Sequence, residues 1–178
     1  MTRPPITDDT AHSPKEPDMS NHHDDLRAIE TVKYRYLRAV DTKDWTALAQ
    51  TLTDDVRADY GSQVDGEPLS FADRDSLVKH LSRIMTPTMI TEHRVDHPII
   101  EIDGDTATGS WYLQDKVIIP EYDVLIIGAA FYSDTYRRTP DGWRISSTGY
   151  QRTFEGRGSL AAAKMRVEQG PAVVRVTE

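Results

Sequence analysis

The feature that most constrains the fold is one change of hydrophobic period near Thr88. Before this point, apolar residues recur every three or four positions, which is the spacing of amphipathic helices. After it, stretches rich in Ile, Val, Tyr, Trp and Thr alternate with turn residues, which is typical of β-strands. Helices followed by strands predict an α+β domain: a cone-shaped, curved, mixed or antiparallel sheet packed against three N-terminal helices.

The helical half predicts three helices, at residues 24–40, 44–52 and 72–85. Asp44 is a plausible N-cap for the second helix, and Pro87 ends the third because proline cannot continue a helix. One short strand, residues 56–60, is expected between the second and third helices. The segment from Gly61 to Phe71 is interpreted as a loop.

The strand half predicts four long antiparallel strands, at residues 91–102, 106–119, 124–138 and 143–154. Asp103-Gly104 is expected to form a tight hairpin turn, and residues 139–142 a second one. Strands of this length usually contain bulges. The candidate kinks are Pro98, Gly109 and Gly128.

Both ends of the chain differ from this pattern. Residues 1–22 contain four prolines and few large apolar side chains, which predicts a disordered tail. The folded domain is expected at residues 23–155, and residues 156–178 form an extension with a short helical stretch at 160–167. No signal-like or membrane-spanning apolar run is present, so a cytoplasmic protein is expected.

Composition excludes several classes of function. The chain has no cysteine, which excludes disulfides, thiol catalysis and thiolate metal sites. Its net charge is −8 and no basic stripe is visible, so neither nucleic acid nor a membrane is an expected partner. His93 and His97 are too far apart along a strand to share one ion easily, and no phosphate-binding glycine motif occurs. No metal and no cofactor are therefore expected.

Two residues are candidates for proton transfer. Asp41 ends the first helix, where the helix dipole disfavours a carboxylate, and Tyr36 can border the same pocket. His93 shares one face of its strand with Val95, which favours an inward orientation. From pattern alone, an exposed turn aspartate and a structural histidine remain the alternatives.

Asp115 is the third candidate. It shares a strand face with Trp111 and Leu113, and burial there would raise the pKa of its carboxyl, making it a candidate acid. The alternative is a bulge that turns Asp115 towards solvent.

Around these residues the sequence resembles the SnoaL-like branch of the nuclear-transport-factor-like superfamily, which includes scytalone dehydratases and ketosteroid isomerases. Within that branch it is most similar to the bile acid 7α-dehydratases, and more distantly to the hexachlorocyclohexane dehydrochlorinases. The likeness spans about residues 24–155. It is carried by the blocks at residues 28–30, 36–41, 106–115, 128–134 and 148–152.

The resemblance implies roles for individual residues. It implies that Asp41 and His93 form a catalytic dyad, with His93 as base, and that Tyr36 donates a hydrogen bond to a substrate oxygen. It implies that Asp115 is an acid, or else an ion-pair partner of Arg152. Three residues are expected to contact substrate: Arg152, Tyr60 and Trp111.

The implied activity is a cofactor-independent dehydratase acting on a small hydrophobic hydroxy-ketone, steroid-like or polycyclic. The alternatives on the same scaffold are an isomerase, a polyketide cyclase, an epoxide hydrolase or a non-catalytic binding subunit. The resemblance also implies a homo-oligomer, a trimer or a dimer. The pocket mouth, near residues 61–71 and 120–122, departs from the family pattern, so the substrate need not be a bile acid.

Overall fold

A computed structural model describes residues 19–64 and 67–168. It contains three α-helices and six strands, in the predicted order of helices first and long strands last. The helices are α1 (Met19–Thr42), α2 (Trp45–Gln50) and α3 (Arg74–Ile84). The strands are β1 (Leu52–Val64), β2 (Glu67–Phe71), β3 (Ile90–Asp103), β4 (Thr106–Ile119), β5 (Val124–Thr139) and β6 (Gly142–Gly158).

The three predicted helices are present with shifted ends. Asp44 caps α2 as predicted, because its carboxylate accepts a hydrogen bond from the Ala47 amide, and Asp73 caps α3 in the same way. Helix α1 begins at Met19, so residues 19–22 of the predicted tail are helical, while residues 1–18 lie outside the described residues. The buried stripe of α1 has the spacing of a single helix face and consists of Ile29, Lys33, Tyr36, Leu37 and Val40.

The strands form one curved sheet in the order β2-β1-β6-β5-β4-β3. All neighbouring pairs are antiparallel except β1 and β6, which are parallel, so the sheet is mixed. Its two edge strands, β2 and β3, do not pair with each other, so the sheet is open rather than a closed barrel. The predicted α+β architecture is confirmed.

The interpretation of residues 61–71 as a loop is wrong. Strand β1 extends to Val64, and β2 pairs back onto it as a hairpin. The sequence hides this hairpin because Gly61, Gly66 and Pro68 interrupt its period. Gly61 has a φ of +59°, a conformation that favours glycine, so the strand bends there without ending.

Only one of the three predicted kinks disturbs the strand register. The pairing of β3 with β4 shifts between Asp96 and Ile99, beside Pro98. Gly109 and Gly128 stay in register and serve a different purpose. A methyl group at Gly109 would collide with the Tyr136 ring, so glycine is needed there for close packing.

The C-terminal extension differs from its prediction. Strand β6 continues to Gly158, and the predicted helix at 160–167 is a single turn over residues 160–164, ended by Lys164 with a φ of +53°. The Ala161 amide and the Ser159 hydroxyl both donate to Asp123, at the turn between β4 and β5. The described part of the extension therefore packs on its own chain.

The helices pack on the inner face of the sheet and enclose the core with it. The outer face carries exposed apolar side chains, including Ile127, Phe131 and Phe154, a surface that the expected homo-oligomer would cover. Among the described helices, none combines the length and hydropathy that crossing a membrane requires.

Candidate active site

An apolar cavity of about 150 Å³ lies between α1, α3 and the inner face of the sheet. Helix α1 contributes one face of its last turns, and α3 covers the opposite side. The sheet contributes five side chains, one each from β1, β2, β3, β5 and β6. The lining residues are Tyr36, Leu37, Val40, Tyr60, Leu69, His80, Leu81, Ile84, Met85, His93, Tyr132 and Tyr150.

The predicted pair of Asp41 and His93 meets at the edge of this cavity. The Nδ1 atom of His93 lies 2.6 Å from Oδ1 of Asp41, and the His93 amide donates to Oδ2 at 2.9 Å. The Thr91 hydroxyl donates to Oδ1 at 2.8 Å. Three hydrogen bonds thus hold the carboxylate of Asp41 and offset the unfavourable helix C-terminus.

The arrangement assigns the proton of the imidazole. A carboxylate accepts hydrogen bonds only, so the neutral His93 ring carries its proton on Nδ1 and leaves Nε2 as the acceptor. His93 lines the cavity and its side chain is 13% exposed. An oriented, unprotonated Nε2 in such a position can accept a proton from a bound molecule.

Lys43 supports the dyad from behind. It follows α1 with a φ of +58°, and its amino group donates to the Thr91 hydroxyl at 2.7 Å. Burial lowers the pKa of Lys43 to about 8, and the nearby Asp41 carboxylate opposes this shift. A chain of contacts thus runs from Lys43 through Thr91 to Asp41 and His93.

Four tyrosines line the cavity. The hydroxyl of Tyr36, on α1, lies 2.7 Å from the hydroxyl of Tyr60, on β1. The two side chains thus meet across the cavity. Burial is the largest cause that raises the pKa of Tyr36, Tyr60 and Tyr132 well above the ordinary value. These phenols therefore stay protonated, and they can donate hydrogen bonds to a bound oxygen.

Asp115 and Arg152 form a separate ion pair. The carboxylate is buried, as the shared face with Trp111 and Leu113 predicts, and two guanidinium nitrogens of Arg152 donate to its two oxygens. This hydrogen bonding is the largest cause that raises the pKa of Arg152. Gly128 makes the pair possible, because a methyl group there would collide with both side chains.

The pairing affects the role expected of Asp115. Both oxygens of the carboxylate accept hydrogen bonds from Arg152, which is the geometry of an ion pair and not that of an acid directed at a substrate. Neither partner lines the cavity, although the Arg152 guanidinium lies 5.0 Å from the centre of the Tyr150 ring, which does. The pair therefore supports the cavity wall through Tyr150, and the contact of Arg152 with substrate stays a prediction.

Trp111 also lies away from the cavity. It is fully buried, its indole nitrogen donates to the Tyr136 hydroxyl at 2.9 Å, and its ring packs edge-on against Tyr34. This side chain is part of the core and does not line the cavity, so a contact of Trp111 with substrate has no support from the geometry and stays a prediction. Tyr60 and Tyr36 do line the cavity as expected.

Sequence reasoning missed a buried ion pair beneath the cavity. Lys33 Nζ lies 2.7 Å from Asp134 Oδ2, both side chains are fully buried, and the amino group lies 3.3 Å from the centre of the Tyr132 ring. Asp134 also accepts hydrogen bonds from Tyr136 and Thr148. The position of Lys33 inside the apolar stripe of α1 was the available signal.

His80 is the second residue that sequence reasoning missed. It lies on the cavity-facing side of α3, one turn before Ile84. Within residues 19–64 and 67–168, no group of three or more acidic, histidine or cysteine side chains is placed to hold a metal ion.

Comparison with known proteins assigns this geometry to a class. A family model described as a SnoaL-like domain matches residues 21–149. The chain therefore belongs to the SnoaL-like family, as the sequence resemblance predicts. The narrower likeness to bile acid 7α-dehydratases stays a prediction.

The individual relatives add little to the family assignment. An uncharacterised protein of Mycobacterium tuberculosis is 26% identical over 125 residues, covering 68% of this chain and 80% of that protein. A putative scytalone dehydratase from Novosphingobium aromaticivorans has a TM-score of 0.70 at 19% identity, covering 78% of this chain and 90% of that one. A hexachlorocyclohexane dehydrochlorinase from Novosphingobium barchaimii reaches 0.71 at 18% identity, covering 85% and 100%. At these identities the solved structures establish the fold.

Proposed function

We propose that the protein is a cofactor-independent lyase that eliminates water from a small hydrophobic hydroxy-ketone. The proposal rests on the position of His93. Its Nδ1 is hydrogen-bonded to Asp41, which leaves Nε2 as the hydrogen-bond acceptor, and the residue lines an apolar cavity that also contains four tyrosines. The same fold occurs in a putative scytalone dehydratase and in a dehydrochlorinase, and the names of both describe elimination reactions. Asp41 has the role of fixing the imidazole tautomer and stabilising the imidazolium.

The proposed reaction balances with the groups at hand. His93 Nε2 takes a proton from the carbon beside the ketone, and the electron pair forms an enolate. Of the two hydrogen-bonded hydroxyls of Tyr36 and Tyr60, one donates to the enolate oxygen as its charge develops, and the other donates to that hydroxyl. The enolate then forms the new carbon–carbon double bond and expels the β-hydroxyl, which takes the proton from the imidazolium and leaves as water.

The cavity favours a small substrate. Apolar cavities of about 150 Å³ in proteins hold a molecule of the size of benzene. One ring of a substrate therefore fills this space, and any further rings extend out of it. A one- or two-ring hydroxy-ketone fits this shape better than a four-ring steroid.

A direct assay uses 3-hydroxy-1-tetralone, because loss of water from this bicyclic ketone gives fluorescent 1-naphthol. General-base catalysis contributes about 10²–10⁴-fold, so His93→Gln is expected to slow naphthol formation by that factor. His97→Gln is the matched control, because His97 is an exposed histidine at the bulge of the same strand. Turnover by His93→Gln within fivefold of the unmodified protein would contradict the assignment.

One observation favours an isomerase as the second candidate. Because Arg152 occupies the Asp115 carboxylate, none of the described side chains lining the cavity is a carboxylic acid, so the elimination depends on the His93 imidazolium alone to protonate the leaving hydroxyl. An isomerase has no leaving group to protonate, since His93 returns the same proton to a different carbon. In this case a β,γ-unsaturated ketone is converted to its conjugated isomer, with His93→Gln inactive, while the hydroxy-tetralone is left unchanged.

A further inference from the structure

His80 is the imidazole in the cavity that the proposed mechanism leaves unused. It projects from α3, while His93 and three of the four tyrosines lie on strands of the sheet. Its ring packs against Phe71 of β2, with the two ring centres 4.9 Å apart. The residue thus packs against a neighbour and borders the space that a ligand would occupy.

The Nε2 atom of His80 is buried and has no hydrogen-bond partner among the described residues. A buried nitrogen without a partner costs free energy, and in native structures such an atom needs an explanation. His80 borders the cavity, so a ligand oxygen there would supply the missing partner once a rotation of the ring brings Nε2 to the cavity surface.

The chemistry of the ring selects the kind of oxygen. Burial is the largest cause that lowers the pKa of His80, and Arg83 adds to it, so the ring is neutral at neutral pH. A neutral imidazole nitrogen either donates or accepts a hydrogen bond, depending on its tautomer. A hydroxyl can do both, so it pairs with either tautomer, and no charged group is required.

We propose that His80 is a specificity-determining residue whose Nε2 hydrogen-bonds a hydroxyl of the substrate remote from the reacting carbons. The inference rests on the proposed function for its substrate class, a cyclic ketone. It narrows that class to ketones with a second oxygen on the side of the ring that faces α3. The ketone is held by Tyr36 and Tyr60 near His93, and the hydroxyl by His80.

Binding of unreactive probes tests this inference separately from catalysis. The probes are 1-tetralone and its 5-, 6- and 7-hydroxy derivatives, which carry no β-hydroxyl and cannot eliminate water. At least one hydroxy derivative is expected to bind about fivefold more tightly than 1-tetralone, the ratio for ~1 kcal/mol from one added hydrogen bond. Calorimetric titration gives the dissociation constants.

Two variants separate the nitrogen from the packing of the ring. His80→Phe keeps an aromatic ring against Phe71 and removes Nε2, so the preference for the hydroxy derivative should fall to about onefold. His80→Gln restores a hydrogen-bonding group and should recover part of the preference. Thermal melting confirms that each variant is folded, and the ¹⁵N resonance of His80 Nε2 in the unmodified protein provides a readout without mutation.

The outcomes distinguish this inference from the proposed function. The inference is overturned if the unmodified protein prefers no hydroxy derivative, or if His80→Phe keeps the preference. A preference that depends on His80, in a protein that leaves 3-hydroxy-1-tetralone unchanged, would support the inference and contradict the lyase. Formation of naphthol with no role for His80 in binding would support the lyase alone.

Discussion

Helix α1 contributes one residue to each of two pairs. The pair near the middle of the helix is a buried ion pair, and the pair at its C-terminal end is the candidate proton-transfer dyad. Lys33 lies 2.7 Å from Asp134 with both side chains fully buried, while Asp41 lies 2.6 Å from His93 with side chains 22% and 13% exposed. In both cases a residue of α1 meets a residue of the sheet. The two distances are nearly equal, so distance does not explain why one pair is a candidate for proton transfer and the other is not.

The two pairs differ in whether the atom that each leaves unsatisfied lies next to the cavity. At the buried pair, Asp134 is surrounded by Lys33, Tyr136 and Thr148, and the Lys33 amino group lacks a well-directed hydrogen bond but is fully buried under the Tyr132 ring. At the cavity edge, Asp41 is equally well bonded, but its partner is an imidazole with a second nitrogen. A pair becomes available for chemistry when one partner retains a free atom next to a cavity.

Replacing Asp41 with Asn is expected to have the largest effect, and the effect is on rate. An amide presents both an oxygen and an NH₂ group to the three donors that a carboxylate accepts, so it no longer fixes Nδ1–H of His93. We expect turnover of 3-hydroxy-1-tetralone to fall by about 10²–10⁴-fold, the general-base contribution. The free energy of unfolding should change much less.

The ¹⁵N shifts of His93 distinguish a lost tautomer from a lost fold. In the unmodified protein they should report a proton on Nδ1, and in Asp41→Asn a mixture of tautomers. Full activity in Asp41→Asn would show that the carboxylate does not orient the base.

Replacing Asp134 with Ala is expected to affect stability first. The change leaves the Lys33 ammonium fully buried without a counterion, and breaking a buried pair in this way costs about 3–5 kcal/mol. Urea unfolding measures this loss as a lower free energy of unfolding. Adding Lys33→Met to Asp134→Ala should recover much of it, because the double variant buries no charge.

The dyad of Asp41 and His93 is the internal control for this double variant. The His93 tautomer should be the same in the folded double variant as in the unmodified protein. A double variant no more stable than Asp134→Ala would contradict the view that the uncompensated charge dominates.

The sequence predicted the parts of the fold that depend on local pattern. The change of period near Thr88 places helices before strands, and the predicted strand at 106–119 has the observed ends. The β1–β2 hairpin was missed because Gly61, Gly66 and Pro68 interrupt its period, although pairing with β6 keeps β1 extended. The partner of a strand lies far away in sequence, so its influence is not visible in local pattern.

The candidate site shows the same difference between what local pattern predicts and what distant contacts decide. Asp41 and Tyr36 were predicted because a family block contains them, and His93 because the strand histidine of the resembled family falls on it; Tyr60 joins them at the cavity. His80 was missed because α3 shows only that a histidine lies on its apolar face, and packing decides that this face closes a cavity. Asp115 was left with two roles because its pairing depends on Arg152, two strands away.

Replacing Lys43 is expected to have the smallest effect, and the replacement tests the pair at the C-terminal end of α1. Its pKa is lowered by burial from 10.5 to about 8, so the folded protein releases this proton before the unfolded chain does. Between about pH 8 and pH 10.5 the unfolded chain binds more protons, and the free energy of unfolding rises with pH in this window. Below pH 8, folding must retain a buried ammonium at a cost.

Lys43→Met removes that cost at the price of one hydrogen bond to Thr91. We expect the variant to be more stable than the unmodified protein by about 1–3 kcal/mol at pH 7, a shift discounted for partial exposure. The advantage should shrink as pH rises from 8 to 10.5, because the unmodified protein gains stability over that range. Urea unfolding at several pH values measures the difference, with Lys79→Met, an exposed lysine of α3, as control. An advantage that is independent of pH, or equal for Lys79→Met, would show that Lys43 is solvated, and the pair at the cavity edge would then lack the support described here.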